Sequence, residues 1–239
     1  MSKFCKIGLL VLLSVTTLAG FLWLPPTNNG FLHPKLARIV VFHVPCSLVA
    51  TVASVVATIF AVLYLKTRDV LHDVRSKVSF ELALLFWILT TVTGAVFAKA
   101  QWNAYWSWDI KQGCILLLLL ILIAYFALRN AIDDPDRKAT LGAVYALFAM
   151  IAVPYLTYIL PNSTQLTEHP KGTLTTSDGL MPQYALVLWA GFVGLTGVYA
   201  WLFRLHVKVE MLEHRRMLRE SEANKKRTVT TVSRRGEAT

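Results

Sequence analysis

Six apolar blocks, Ile7–Leu24, Ile39–Leu65, Val78–Ala98, Gly113–Leu128, Leu141–Leu160 and Tyr184–Leu205, leave this chain few ways to fold. A bilayer core of roughly 30 Å is crossed by about 20 apolar residues in a helix. Inside lipid every backbone amide and carbonyl must pair within the protein, which a helix achieves along its own length. The blocks therefore predict an all-α, polytopic membrane protein with six transmembrane helices. Hydrophobic residues make up 55% of the chain and charged residues 16%, and the charges fall almost entirely between the blocks.

The distribution of charge bears on both orientation and partners. With the N-terminus inside, 19 of the 24 Lys and Arg residues fall on the inner face, and Lys35, Arg38, Lys99, Lys111 and Lys171 remain outside. Excess Lys and Arg on one face sets topology, so both termini are expected in the cytoplasm. A net charge of +10 spread in this way favours membrane lipids and argues against nucleic acid. Residues 1–205 are read as a membrane domain and 206–239 as a basic cytoplasmic tail, lying on the inner membrane surface or against a partner subunit. The length of the first block and Pro25-Pro26 after it favour a retained span over a cleaved signal. Cys5, Cys46 and Cys114 form no C-x-x-C or C-x-x-C-H motif, so neither a redox pair nor a covalent haem attachment site is encoded.

Between the third and fourth blocks lies Trp102-Asn-Ala-Tyr-Trp-Ser-Trp-Asp109, which holds three of the seven tryptophans. Interfacial aromatic rings serve as membrane anchors; a dense cluster of indoles also offers a platform for a flat, apolar, anionic ligand such as haem. Histidines on the same outer face supply the matching chemistry, because haem iron accepts imidazole axially. His43 precedes Pro45, where a membrane helix starting at the proline would run to Leu65 and put His43 at its outer mouth. His169 lies in the long outer loop 161–182. His33 sits in a Pro/Gly-rich loop, and His72, His206 and His214 read as ordinary inner-face residues. Among the outer cations Arg38 is the first choice for haem propionates, since a guanidinium binds carboxylate bidentately. Asp109, with Gln112 three residues on, reads as a capping box for the fourth span. Thr93-Gly94 permits close helix packing, and Glu81 sits within reach of water or Lys77.

Thr93-Gly94 followed by Trp102-x-x-x-Trp106-x-Trp108-Asp109 resembles the WWD signature of the haem-handling proteins of cytochrome c maturation. Arg38-Ile39 with His43-Val44-Pro45 resembles the segment before it in the CcmC family, and His169 matches the second family histidine by position. The chain departs from the pattern at Asn103, where a glycine is usual, and at Tyr105, which replaces a paired Trp. The resemblance implies that non-covalent haem, haem b, is held at the periplasmic face of the bacterial inner membrane. His43 and His169 would be axial ligands, with Arg38, Trp102, Tyr105, Trp106, Trp108 and Asp109 around them. It also implies handover to a periplasmic haem chaperone (CcmE-like). Association with ABC transporter subunits (CcmA- and CcmB-like) and a small membrane protein (CcmD-like) is implied in the same way.

On this reading the protein coordinates and passes on its cargo and is not an enzyme. A cytochrome c synthetase subunit of CcsA type is the main alternative, and would favour further histidines at mid-membrane. A transporter would favour broken spans, and a b-type electron carrier would need histidine pairs on facing helices.

Overall fold

The computed structural model describes residues 2–27, 31–164 and 180–236, with side chains up to residue 223. Helix α1 spans Lys3–Leu22; a 3-10 turn, Pro34–Ile39, leads without a break into α2, Val40–Thr67. Then follow α3 (Val70–Trp102), α4 (Ile110–Asn130), α5 (Pro135–Pro154), a π turn (Tyr155–Ile159), the short α6 (Leu160–Ser163) and α7 (Pro182–Gly236). Six of the helical stretches are long and apolar enough to cross a membrane. Among the described residues there is no strand. The chain is thus a six-span helical membrane protein with both ends of the described chain on one side.

The inner connections are short and chemically defined. Arg68 adopts the left-handed conformation (φ 57°) that closes α2, and the Asp69 carboxylate caps α3 by accepting from the Leu71 amide at 2.9 Å. A two-residue link forces α2 and α3 to lie antiparallel and adjacent. Asp134, followed by Pro135 in the first turn, caps α5 by accepting from the Arg137 amide, the arrangement expected where an orphan amide needs an acceptor. Residues 70–77, which precede the third apolar block, belong to α3. Val74 and Ser76 are buried, and Asp73 pairs with Arg129 on α4 through two contacts of 2.7 and 2.8 Å. Gly142 on α5 makes room for this guanidinium, since a Cβ there would meet Arg129 Nη1 at 2.6 Å.

Small residues carry the mid-membrane packing. Ala50, Ala53, Ala57 and Ala61 form a fully buried stripe on α2, letting neighbouring backbones approach where lipid offers no hydrophobic drive for association. Ser79 of α3 donates to the Ala53 carbonyl and accepts from Tyr199 of α7, both at 2.7 Å, so one hydroxyl ties three helices. Gly191, Gly194 and Gly197 on α7 face Thr16, Leu13 and Leu9 of α1, which otherwise exposes most of its apolar surface to lipid. Near the inner end Lys77 bridges Glu210 at 2.8 Å and Glu81 at 3.7 Å, and His206 flanks both carboxylates. His206 is therefore part of an ion network between α3 and α7 rather than a plain surface residue. Helix α7 continues through residue 206 unbroken.

Pro45 does not start α2; it lies inside the helix, as its sixth residue. The missing N–H frees the Val41 carbonyl, and Gly191 of α7 packs against this point, 3.6 Å from that oxygen measured at an added Cβ. His43 consequently sits in the first turn of α2, on the helix itself. Proline is accommodated there because a neighbouring helix covers the freed group.

The Arg129–Asp73 pair sets a stability prediction. Asp73→Ala strands a guanidinium whose side chain is 8% exposed, and is expected to cost about 3–5 kcal/mol. The double variant Asp73→Ala/Arg129→Met should lose much less. Thermal unfolding in detergent compares the two, and equal losses would show that the charge itself is not what the site must satisfy.

Candidate functional site

At the outer end of the bundle α2, α3, α4 and the π turn surround a cleft of about 170 Å³. Its lining includes His43 and Ser47 from α2, Thr91 and Gly94 from α3, Trp106 from the loop, Lys111 and Gln112 from α4, and Thr157 and Tyr158 from the π turn. Pockets that enclose a drug-sized ligand run about 300–1,000 Å³, so this cleft is too small to enclose such a ligand whole.

His43 is held from three directions. Its Nδ1 lies 3.1 Å from Thr93 Oγ1. Beneath the ring is Gly94, where a Cβ would stand 2.9 Å from His43 Cε1, so any larger residue would push the imidazole off its seat. Phe97 lies parallel to the ring at 6.3 Å and 10°, and is itself buttressed edge-on by Trp102 at 5.6 Å and Phe31 at 6.1 Å. Thr93-Gly94 thus seats a side chain of the neighbouring helix.

The tryptophan loop is pinned at both ends. Asn103 ends α3 in the left-handed conformation (φ 60°), its amide donating to the Lys99 carbonyl. Asparagine tolerates this region nearly as well as glycine, which accounts for Asn103 where glycine is usual. Lys99 donates to the Asn103 carbonyl and side-chain oxygens at 3.0 and 2.8 Å and sits 5.7 Å over the Tyr105 ring. At the other end Asp109 caps α4 by accepting from the Lys111 amide at 2.8 Å. Gln112 does not complete the expected box; its Oε1 accepts from the Ser107 amide at 2.9 Å and braces the loop two residues further out. Between these pins Trp106 turns into the cleft with its indole Nε1 buried and unpaired. Trp108 stands edge-on to it at 5.7 Å, 75% exposed, in a left-handed conformation (φ 56°). A bulky side chain rarely accepts that backbone region.

Of the residues that the resemblance places around haem, His43 and Trp106 share the cleft. Trp102 supports it from behind through Phe97, Asp109 fixes the loop from below, and Tyr105 and Trp108 stand exposed at the rim. Arg38 is elsewhere: its guanidinium donates to the Phe21 and Leu24 carbonyls at 2.5 and 3.3 Å, closing the end of α1 against the 3-10 turn. His169 lies outside the described residues, in the segment between Thr164 and the cleft-lining Leu180. His33 has an exposed ring; its backbone is clamped by the Gln101 amide at 3.1 and 3.3 Å. The cation that does line the cleft is Lys111, whose place in the first turn after Asp109 was the available signal. The π turn was signalled by Pro154, which cannot supply the next helical hydrogen bond.

A family model described as Heme exporter protein C matches residues 1–224. The Heme exporter protein C of Paracoccus denitrificans is 22% identical over 206 residues, 83% of each chain. That of Bradyrhizobium diazoefficiens is 31% identical over 121 residues, 51% of this chain and 46% of its own. A shorter match, 40% identical over 65 residues, links 27% of this chain to 21% of a Cytochrome c biogenesis protein CcsA from a Synechococcus strain.

The two left-handed residues of the loop should respond oppositely to substitution. Asn103→Ala is expected to lose about 1 kcal/mol, the cost of an ordinary side chain in this region, and Asn103→Gly little. Trp108→Gly removes the same strain together with a mostly exposed ring, and is expected to leave the unfolding midpoint unchanged or higher. A loss for Trp108→Gly as large as that for Asn103→Ala would show that the ring's packing outweighs the strain.

Proposed function

The chain belongs to the Heme exporter protein C family, and from that premise we propose that it holds haem at the periplasmic rim of the bacterial inner membrane and hands it to a periplasmic haem chaperone. The observation that carries this reading is the seat of His43, an imidazole locked over a bare glycine and facing a cleft walled by Trp106 and Lys111.

The residues present suit such a cargo. His43 offers a nitrogen to iron, and His169 is the second axial ligand, on a segment that rejoins the described structure at the cleft-lining Leu180. Trp106 supplies an apolar face and a buried indole N–H that has a donor to give. Tyr105 and Trp108 extend the aromatic surface outward, where an incoming partner also meets it. Lys111 is the propionate counter-charge, replacing Arg38 in that role, because Arg38 is committed to the α1 carbonyls. Iron with two protein imidazoles has no open position, which disfavours oxygen chemistry. The protein acts by grip and release, and makes no bond within its cargo.

Release requires that something displace one axial ligand. The chaperone approaches the exposed rim of Tyr105 and Trp108, competes for iron there and leaves the cleft wall intact. ABC transporter subunits and a small membrane protein complete the assembly on this reading. The CcsA-type synthetase is the second reading on the strength of the 65-residue likeness; it is disfavoured because none of the five histidines among the described residues sits at mid-span.

Absorption spectra of the purified protein test the proposal. His43→Ala and His169→Ala are each expected to lose most bound haem or its bis-imidazole spectrum, and unchanged haem content in both would sink it. Lys111→Gln is expected to weaken haem binding about tenfold or more, the worth of a charge-assisted hydrogen bond. Arg38→Gln should lower stability and leave affinity near that of the parent.

A further inference from the structure

We propose that Thr93 is a positioning residue: it fixes His43 as the Nδ1–H tautomer and thereby assigns Nε2 as the nitrogen presented to iron. The assignment follows from counting protons around one hydroxyl, and its connection to iron rests on the haem reading above.

Thr93 Oγ1 lies 2.7 Å from the Leu89 carbonyl and 3.2 Å from the Thr90 carbonyl. Neither oxygen has a hydrogen to give, so the single hydroxyl hydrogen of Thr93 goes to the backbone of its own helix. Toward His43 Nδ1, at 3.1 Å, the hydroxyl therefore presents a lone pair. A contact at that distance needs one hydrogen, and His43 must bring it. Neutral imidazole carries a single N–H, so with the proton on Nδ1 the lone pair is on Nε2.

The ring is also closely seated on α3. Gly94 fits under Cε1 with no room for a methyl group, and Phe97 lies parallel to the ring and offset from it, with centroids 6.3 Å apart. One dipeptide thus supplies both constraints: Thr93 chooses the proton's place and Gly94 the ring's. The identity of the acceptor also matters for the iron bond. A carboxylate opposite an N–H draws on the proton and makes the imidazole a stronger donor to metal. A hydroxyl that has already spent its hydrogen is neutral and draws less, so Nε2 stays an ordinary imidazole donor. That suits a ligand which must hold iron and later be displaced.

Nitrogen NMR of the full-length protein in detergent, labelled at histidine and free of haem, reads the tautomer directly at a pH where imidazoles are neutral. The His43 signals are assigned by their loss in His43→Gln. Wild type and Thr93→Ser are expected to show a protonated Nδ1 and an unprotonated Nε2, whereas Thr93→Val, equal in shape but with no acceptor, should show both tautomers. Titration with hemin should then give about a tenfold or greater loss of affinity for Thr93→Val, the usual size of such an effect, with Thr93→Ser close to wild type. An unprotonated Nδ1 in wild type overturns the proposal. So does a Thr93→Val protein that keeps both the wild-type tautomer and the wild-type affinity. A wild-type protein that shows the stated tautomer but takes up no hemin overturns the haem reading instead, and leaves the tautomer assignment standing.

Discussion

Close approach of α2 to α3 is the condition on which the rest of the outer site depends. The Arg68-Asp69 link starts the two helices side by side, the buried alanine stripe keeps them close through the bilayer, and Gly94 lets the approach persist to the rim. Only with backbones this near can a histidine on one helix rest on the main chain of the other. Separate them by the width of a methyl group and the imidazole loses its seat, its partner on Thr93 and its contact with Phe97 together.

The tryptophan loop solves a different problem. Its two ends are fixed by capping, Asn103 with Lys99 on one side and Asp109 with Gln112 on the other, so the loop needs little of its own packing to hold shape. This frees the aromatic rings for contact with something else. Trp106 faces inward and Trp108 outward, and the latter occupies a backbone region that stability alone would give to glycine. Strain of this kind is kept where a side chain has work to do at that position.

Much of the architecture was legible because lipid leaves a helix little alternative. Five of the six apolar blocks lie within their spans and the first overruns α1 by two residues, while Asp109 caps α4 as its place before the fourth block predicts. What the sequence concealed depends on which neighbour each residue meets. Pro45 reads as a helix start because proline favours first turns; it is interior because Gly191, 146 positions later, packs against the carbonyl it frees. Arg38 reads as the cation for an anionic cargo because its charge is visible and its partners, the backbone carbonyls at the end of α1, are not. Lys111 reads as a surface anchor until the fold turns the first turn of α4 toward the cleft. Thr93-Gly94 reads as a small-residue pair for helix packing, but pattern alone does not say that its neighbour is an imidazole.

Helix α7 joins the two faces of the membrane in one piece. It runs from Pro182, beside the cleft, past the Ser79–Tyr199 contact and the ion network at Glu210, to Gly236. At 1.5 Å per residue that is a rod of about 80 Å. If it pivots near Tyr199, a tilt of about 5° carries its outer end by roughly 2 Å, since that end lies about 25 Å from the pivot. Motion imposed on the arm beyond Glu210 therefore reaches the opposite leaflet mechanically, by leverage, with no relay of side chains in between.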